Sequence, residues 1–420
     1  MILKNIKFKS GAILIASLLF FNYGFAQNKL RIGIWRGILT LNDTTQLPFN
    51  FEVKSDLDIY SVVFTNAEEK ITANEIVIQG DSVFIRMPVF DSEFKLKSDG
   101  DSLKGVWINH NRKDKNVLKF KAYYGNKNRF EIKYWTNYEP VVTGKWEVEF
   151  EPGTPDSYKS IGEFKQLNVV QGSKLTGTFI TETGDYRYLE GIMANNDFYL
   201  SCFDGVHAFL FKAKLDKNKD ILKGDFYSSA HGHETWIAKR NEKFQLRNPD
   251  SLTYLKPGFT KVDFSFKNLE GKQISLSDEK YKNKVVILQL MGTWCPNCMD
   301  ETKFLAPFYD KYKSKGLEII GLAFERTDDF NKAVSRVSRV KAKFDAKYDF
   351  LITMKTGAQQ ASEALPMLNK VMAFPTTIYI DKKGDVRKIY TGYYGPATGD
   401  SYIKQEEETT KFVEKLLGEK

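Results

Sequence analysis

Cysteine is almost missing from this chain: there are 3 in 420 residues, Cys202, Cys295 and Cys298. So few thiols exclude a scaffold stapled by disulfides. Histidine is equally scarce, with 4 in the chain. His231 and His233 flank one side of an extended stretch and His207 lies upstream, but no third ligand is fixed by spacing, so no metal site and no cofactor are expected. Apart from Ala12 to Phe21, no long apolar run occurs, and that run falls short of the ~20 residues that span a bilayer. Large blocks of one charge are also lacking. The formal net charge is +9, and Lys4, Lys7 and Lys9 account for three of it, which leaves +6 beyond the N-terminal segment. The densest basic stretch, Arg336 to Lys343, reads as a solvated helix face, so no nucleic-acid partner is expected.

The N-terminus has the three parts of an export signal. Lys4, Lys7 and Lys9 form a basic region, Ala12 to Phe21 an apolar one, and Gly24-Phe25-Ala26 a small-x-small cleavage site. The expectation is a periplasmic protein, cleaved near Ala26 and not inserted in the membrane afterwards. In such a compartment cysteines tend to be structural and paired. Here two of three sit as Trp294-Cys295-Pro296-Asn297-Cys298, directly after the apolar run Val285 to Leu290. A thiol at a helix N-terminus meets backbone N–H groups and the positive end of the macrodipole, which favour the thiolate. A second cysteine three residues on lies one turn away. That pairing is suited to dithiol–disulfide exchange.

Aromatic residues are abundant, with 32 Phe and 21 Tyr. Residues 27 to about 245 alternate in short runs between Gly, Asn and Asp turns, for example Leu47 to Val53, Ser82 to Met87, Asp197 to Cys202 and Ala208 to Lys212. Helical periodicity is nearly absent there. Gly33-Ile34-Trp35 recurs as Gly144-Lys145-Trp146, 111 residues later. Leu103-x-Gly105-x-Trp107 is echoed by Leu175-x-Gly177-x-Phe179 and Leu222-x-Gly224-x-Phe226. Two related barrel-like modules, 27–130 and 131–246, are expected. The Gly-x-Trp opening resembles lipocalin-like barrels, in which such a Trp plugs the barrel end. Cys202 reads as a small core residue. A linker is expected at 247–258, where turn residues gather.

From 259 to 420 strands and helices alternate. Strands are expected at 285–290, 317–324, 348–353, 376–380 and 386–391, and helices at 296–314, 329–345, 359–371 and 402–418. Asp381-Lys382-Lys383-Gly384 reads as a hairpin turn with Gly384 at positive φ.

The run from Val285 to Cys298, the Pro375-Thr376-Thr377 segment and the Asp381…Gly384 hairpin together resemble the thioredoxin fold. The added helix and strand between 329 and 353 are similar to the TlpA/ResA branch of exported thiol–disulfide oxidoreductases. The fold expected is therefore multidomain, an all-β N-terminal region followed by an α/β thioredoxin-like domain. The resemblance implies a redox-active disulfide between Cys295, the attacking thiol at the exposed end of the helix, and Cys298, the more buried resolving thiol. It makes Pro375 the cis-proline facing them, with Trp294, Phe374 and Pro375 at the substrate edge, and makes Glu301 an active-site carboxylate. Glu301 could equally be a solvent-facing acid of the first helical turn. Gln289 stands where thioredoxins have a buried Asp and cannot act as a base, and the uncharged Pro296-Asn297 centre favours reduction over strong oxidation. Implied partners are protein disulfide substrates and an upstream, membrane-bound thiol donor, with cytochrome c maturation as one setting. A peroxiredoxin-like peroxidase is the other enzyme class with this fold, but Gly292 occupies the position of its motif Thr. A third reading is an envelope binding protein with an accessory thioredoxin-like domain.

Overall fold

The computed structural model describes residues 30–131, 140–168 and 173–420. The expected signal segment lies outside the described residues. Among those described, no helix is long and apolar enough to cross a membrane.

The first half is β throughout, as the alternation requires. One antiparallel sheet of nine strands runs from Gly33–Thr40 to Val117–Tyr124, and the first strand pairs with both the second, Gln46–Asp56, and the last. A second sheet has the same plan. Gly144–Phe150 pairs with Tyr158–Asn168 and with Gly232–Arg240, and a further pairing of Tyr158–Asn168 with Ser173–Thr181 closes it into a barrel. Closure leaves no open edge among the paired strands.

The repeated motifs occupy matching places in the two sheets. Trp35 and Trp146 are fully buried, and each indole N–H donates to a carbonyl four residues upstream, of Arg31 and Val142, at 2.9 Å. Leu103-x-Gly105-x-Trp107 and Leu222-x-Gly224-x-Phe226 lie on the penultimate strand of each sheet, with Leu and the aromatic turned inward. The glycine between them sits where neighbouring strands approach closely. A Cβ on Gly105 or Gly224 would stand 2.1 or 1.8 Å from a carbonyl oxygen of the adjacent strand. Rings fill the second barrel, as with Phe179 stacked on Phe211 at 4.2 Å. Cys202 lies fully buried in that core.

The two sheets share apolar core. Phe203, on the second, stacks on Phe49 of the first at 4.5 Å. Asn66 caps this junction by pairing both ways with the Phe203 backbone, at 2.9 and 3.1 Å. His207 and His233 are each beside an acid, Asp204 at 3.2 Å and Asp225 at 2.8 Å.

The C-terminal part is a seven-stranded mixed sheet with helices on its faces. All seven residues of the central strand Val285–Met291 are buried, between parallel Leu317–Ala323 and antiparallel Thr376–Ile380. A strand covered on both faces is apolar along nearly its whole length, and Gln289 is the one polar residue in this strand. Observed helices are Pro296–Tyr312, Phe330–Lys343, Gly357–Ala364 and Asp400–Gly418. Gly384 has φ +82° in its turn, where Asp381 accepts from the Lys383 and Asp385 amides.

Three expectations need correction here, and one strand pair was not foreseen. The helix expected over 359–371 stops at Ala364, because Leu365 precedes Pro366 and is forced out of helical geometry. The pair Ser265–Asn268 and Gln273–Ser275, at the sheet edge, is too short and polar to stand out in the sequence. The segment 247–258 is no free linker: Thr253 is buried against Thr391, and Leu255 bridges to Leu368. Finally, Arg336 is not on a solvated face. It is buried, donating to Asp91 of the first sheet at 2.7 and 3.1 Å.

Arg187 joins all three parts. Its guanidinium pairs with Glu69 of the first sheet, lies 4.0 Å from Asp204 of the second, and pairs with Asp300 on the helix that follows Cys295. These carboxylates outweigh the burial that would discharge it, so its pKa is held above the usual arginine value. Removing the cation would leave buried acids facing one another. Arg187→Met is expected to cost about 3–5 kcal/mol in urea unfolding. A loss under about 1 kcal/mol would show that the cluster does not hold the parts together.

Candidate active site

The site is built on the end of the central strand. Beyond Met291 the chain turns through Gly292 and Thr293, and the helix starts at Pro296, whose fixed φ and missing N–H suit the first helical position. That makes Cys295 the N-cap. Its sulfur accepts from the Cys298 amide at 3.3 Å and donates to the Phe374 carbonyl, also at 3.3 Å. Phe374–Pro375 is a cis peptide, so the expected cis-proline is present and faces the dithiol. All three cysteines are free thiols in this form.

Cys298, one turn in, is fully buried. Burial raises its pKa well above an ordinary thiol; the hydrogen bond and charge of Cys295 and the charge of Glu301 add to this. Cys298 is the more deeply buried of the two, but Cys295 is itself only 7% exposed. It does not stand at an open helix end, because the second barrel covers it.

Trp294 is fixed on every side. Its indole N–H donates to Phe324 O at 2.9 Å, its ring packs edge-on to Phe374 at 5.6 Å, and the Arg326 guanidinium lies over it at 3.7 Å. Buried Glu325 accepts from the Thr293 amide and hydroxyl, both at 2.7 Å, and so fixes the turn before Trp294.

Glu301 is buried, not solvent-facing. It accepts from the Thr377 hydroxyl at 2.5 Å and from Gln289 Nε2 at 2.8 Å. Gln289 also donates to the Cys298 carbonyl at 3.3 Å, which ties strand, thiol turn and carboxylate into one cluster. Burial pushes the Glu301 pKa up to about 7, against the lowering effect of those two donors.

Sequence reasoning missed the covering wall. The turn between Ser173–Thr181 and Gly184–Asp185 lies on the motif itself. Asn297 Nδ2 donates to Asp185 Oδ1 at 2.9 Å and to Tyr393 O at 3.0 Å, and the Gly395 amide donates to Asp185 Oδ1 at 3.0 Å. A Cβ on Gly184 would meet Asn297 at 2.4 Å, so only glycine fits there. What remains between barrel and dithiol is a cavity of about 590 Å³, with Cys295, Trp294 and Phe374 on one wall and Tyr186, His207 and Phe209 on the other. Nothing local marks Asp185 or Arg187 in the sequence, since their contacts with the thiol helix are to residues more than a hundred positions away.

Comparison with known proteins gives this geometry a family. Residues 256–402 match the Redoxin family. The thiol-disulfide oxidoreductase ResA of Bacillus thuringiensis subsp. konkukian is 32% identical over 143 residues, 34% of this chain and 74% of that protein. ResA of Geobacillus thermodenitrificans is 30% identical over 140 residues, 33% of this chain and 72% of that one. A solved structure titled as a putative thiol:disulfide interchange protein DsbE from Chlorobium tepidum overlaps 39% of this chain and 100% of its own, at 22% identity and a TM-score of 0.30. The chain therefore belongs, through its C-terminal part, to the ResA-like thiol–disulfide oxidoreductases of the Redoxin family.

The Glu301 shift has a sign that can be checked. Its pKa rises from an unfolded value near 4.5 to about 7, so the folded protein binds the extra proton between those limits. The contribution of Glu301 to stability is therefore greatest below pH 4.5 and falls as pH rises to about 7. At about 1.36 kcal/mol per unit, the difference is roughly 3 kcal/mol. Carbon-13 NMR of the Glu301 carboxyl in the dithiol form should show an inflection near pH 7. Titration near 4.5 would contradict the buried cluster.

Proposed function

We propose that Cys295 and Cys298 are the redox centre, and that the protein reduces or exchanges disulfides of other proteins. The observation that carries this is the Cys295 sulfur, set at a helix N-terminus, bonded by the Cys298 amide and facing the carbonyl of Phe374 before Pro375. In the reaction the Cys295 thiolate attacks one sulfur of a substrate disulfide. The substrate S–S bond breaks, one sulfur leaves as a thiolate, and a mixed disulfide forms on Cys295. Cys298 then loses its proton and attacks Cys295 Sγ, which releases the second substrate thiol and leaves a Cys295–Cys298 disulfide. Two electrons pass to the substrate in one turn.

Cys298 needs help to ionise, because burial holds its thiol protonated. Glu301, one helical turn on and with a pKa near neutrality, suits the role of proton acceptor. Trp294 and Phe374 frame the sulfur, and the Phe374–Pro375 backbone offers an edge to the substrate chain. An upstream thiol donor, membrane-bound in this reading, restores the dithiol. The basic, apolar and small-x-small segments ending at Ala26 support export to the periplasm. Maturation of exported proteins, cytochromes c among them, is the setting that fits.

Cys295→Ser is expected to abolish reduction of insulin disulfides, whereas Cys298→Ala should accumulate mixed disulfides with envelope proteins. Full insulin reduction by Cys295→Ser would place the redox centre elsewhere. An absence of trapped species above a Cys295→Ala/Cys298→Ala background would argue against protein disulfides as substrates.

A further inference from the structure

The cavity over Cys295 has an unbalanced charge. Most ionised groups around it are already matched. Arg247 pairs with Glu182, and Lys159 pairs with Glu147 and Glu149. Asp185 is bonded by Asn297, Gly395 and the Arg187 amide, and His207 is beside Asp204. Two guanidinium groups are left. Arg112 reaches the cavity from the first sheet, and Arg326 from the loop after Leu317–Ala323. Among the described residues neither makes an ion pair. Arg326 rests on the Trp294 ring at 3.7 Å, one residue from the attacking sulfur.

The two cations sense each other. After desolvation, the charge of Arg112 is the largest influence lowering the Arg326 pKa, and the charge of Cys295 works in the opposite direction. Nearby acids attenuate the pair without closing it: Asp114 lies close to Arg112, and buried Glu325 is already committed to Thr293. Two like charges gathered at one cavity, beside a sulfur that must receive a substrate, are stabilised when an anion enters between them. Arg112, some 180 residues upstream of Cys295, is brought to the same opening by the first sheet.

We infer that the cavity selects disulfides that carry a carboxylate close to the sulfur attacked by Cys295, with Arg112 and Arg326 as the carboxylate-binding pair. This rests on Cys295 being the attacking thiol. A small dicarboxylate disulfide and an acidic residue beside a cysteine in an extended peptide both present the same group to the arginines.

The test compares three small disulfides of similar size on the full chain: 3,3′-dithiodipropionate, neutral 2-hydroxyethyl disulfide and cationic cystamine. Each kcat/KM is divided by that disulfide's rate with 2-mercaptoethanol, which removes intrinsic reactivity. The normalised ratio of dithiodipropionate to cystamine should be about tenfold or more, the scale of one charge-assisted hydrogen bond. It should fall towards one in Arg112→Gln/Arg326→Gln and return in Arg112→Lys/Arg326→Lys, carried by KM more than by kcat. A parallel pair of disulfide-linked peptides, Gly-Asp-Cys-Gly and Gly-Lys-Cys-Gly, separates the sources. A preference in both pairs assigns the carboxylate to polypeptide substrates, and one confined to the small pair assigns it to small molecules. Equal ratios in the wild type, or a ratio unchanged in the Gln variant, would overturn the inference. If none of the disulfides reacts faster than with Cys295→Ser, the dithiol reading itself fails, and the charge selection fails with it.

Discussion

The arrangement depends on one buried cation. Arg187 sits among Glu69, Asp204 and Asp300, each contributed by a different part of the chain. An arginine can fill that place because its planar fork offers five donors and does not discharge on burial. Lysine would present a single point charge and would more readily lose it. The consequence reaches the dithiol, since Asp300 lies two residues beyond Cys298 on the same helix. Whatever holds Arg187 also holds the second barrel over the thiols.

That cover changes the chemistry available to the dithiol. A bare thioredoxin-like unit presents its first cysteine to solvent, and selectivity then comes from whatever surface docks. Here Cys295 opens into a cavity walled by Tyr186, His207 and Phe209. The barrel contributes its wall through the turn at Gly184 and Asp185, where the absence of a side chain on Gly184 leaves room for Asn297. The uncharged Pro296-Asn297 centre thus has a structural use: Asn297 is the hook on which the wall hangs. Below the thiols, Gln289 stands on the central strand and positions Glu301 through its side-chain amide.

Much of this was legible in the sequence, and for identifiable reasons. The central strand, the helix starting at Pro296 and the Gly384 turn follow from local patterns that tertiary contacts reinforce, whereas the cis-proline position came from the family resemblance alone. The Gly-x-Trp and Leu-x-Gly-x-aromatic echoes mark matching strands because close strand approach and an inward ring are needed at the same point of each sheet. Glu301 was undecided: three residues after Cys298 it can face either way, and burial by Thr377 from a distant strand settles its surroundings. The wall was invisible. Asp185, Arg187 and Arg336 look like ordinary surface charges until partners far along the chain are brought to them, and the same contacts bury Cys295 where a helix end alone would expose it.

The central claim is that the second barrel rests on the thiol motif. The Gly395 amide reports on it directly, because its acceptor, Asp185 Oδ1, belongs to the barrel while Gly395 belongs to the thioredoxin-like part. Hydrogen exchange at that amide, followed by NMR in the full chain, should be slow and protected together with the central sheet. Exchange at the rate of an open loop would mean that the barrel does not rest on the motif, and the walled site would have to be abandoned.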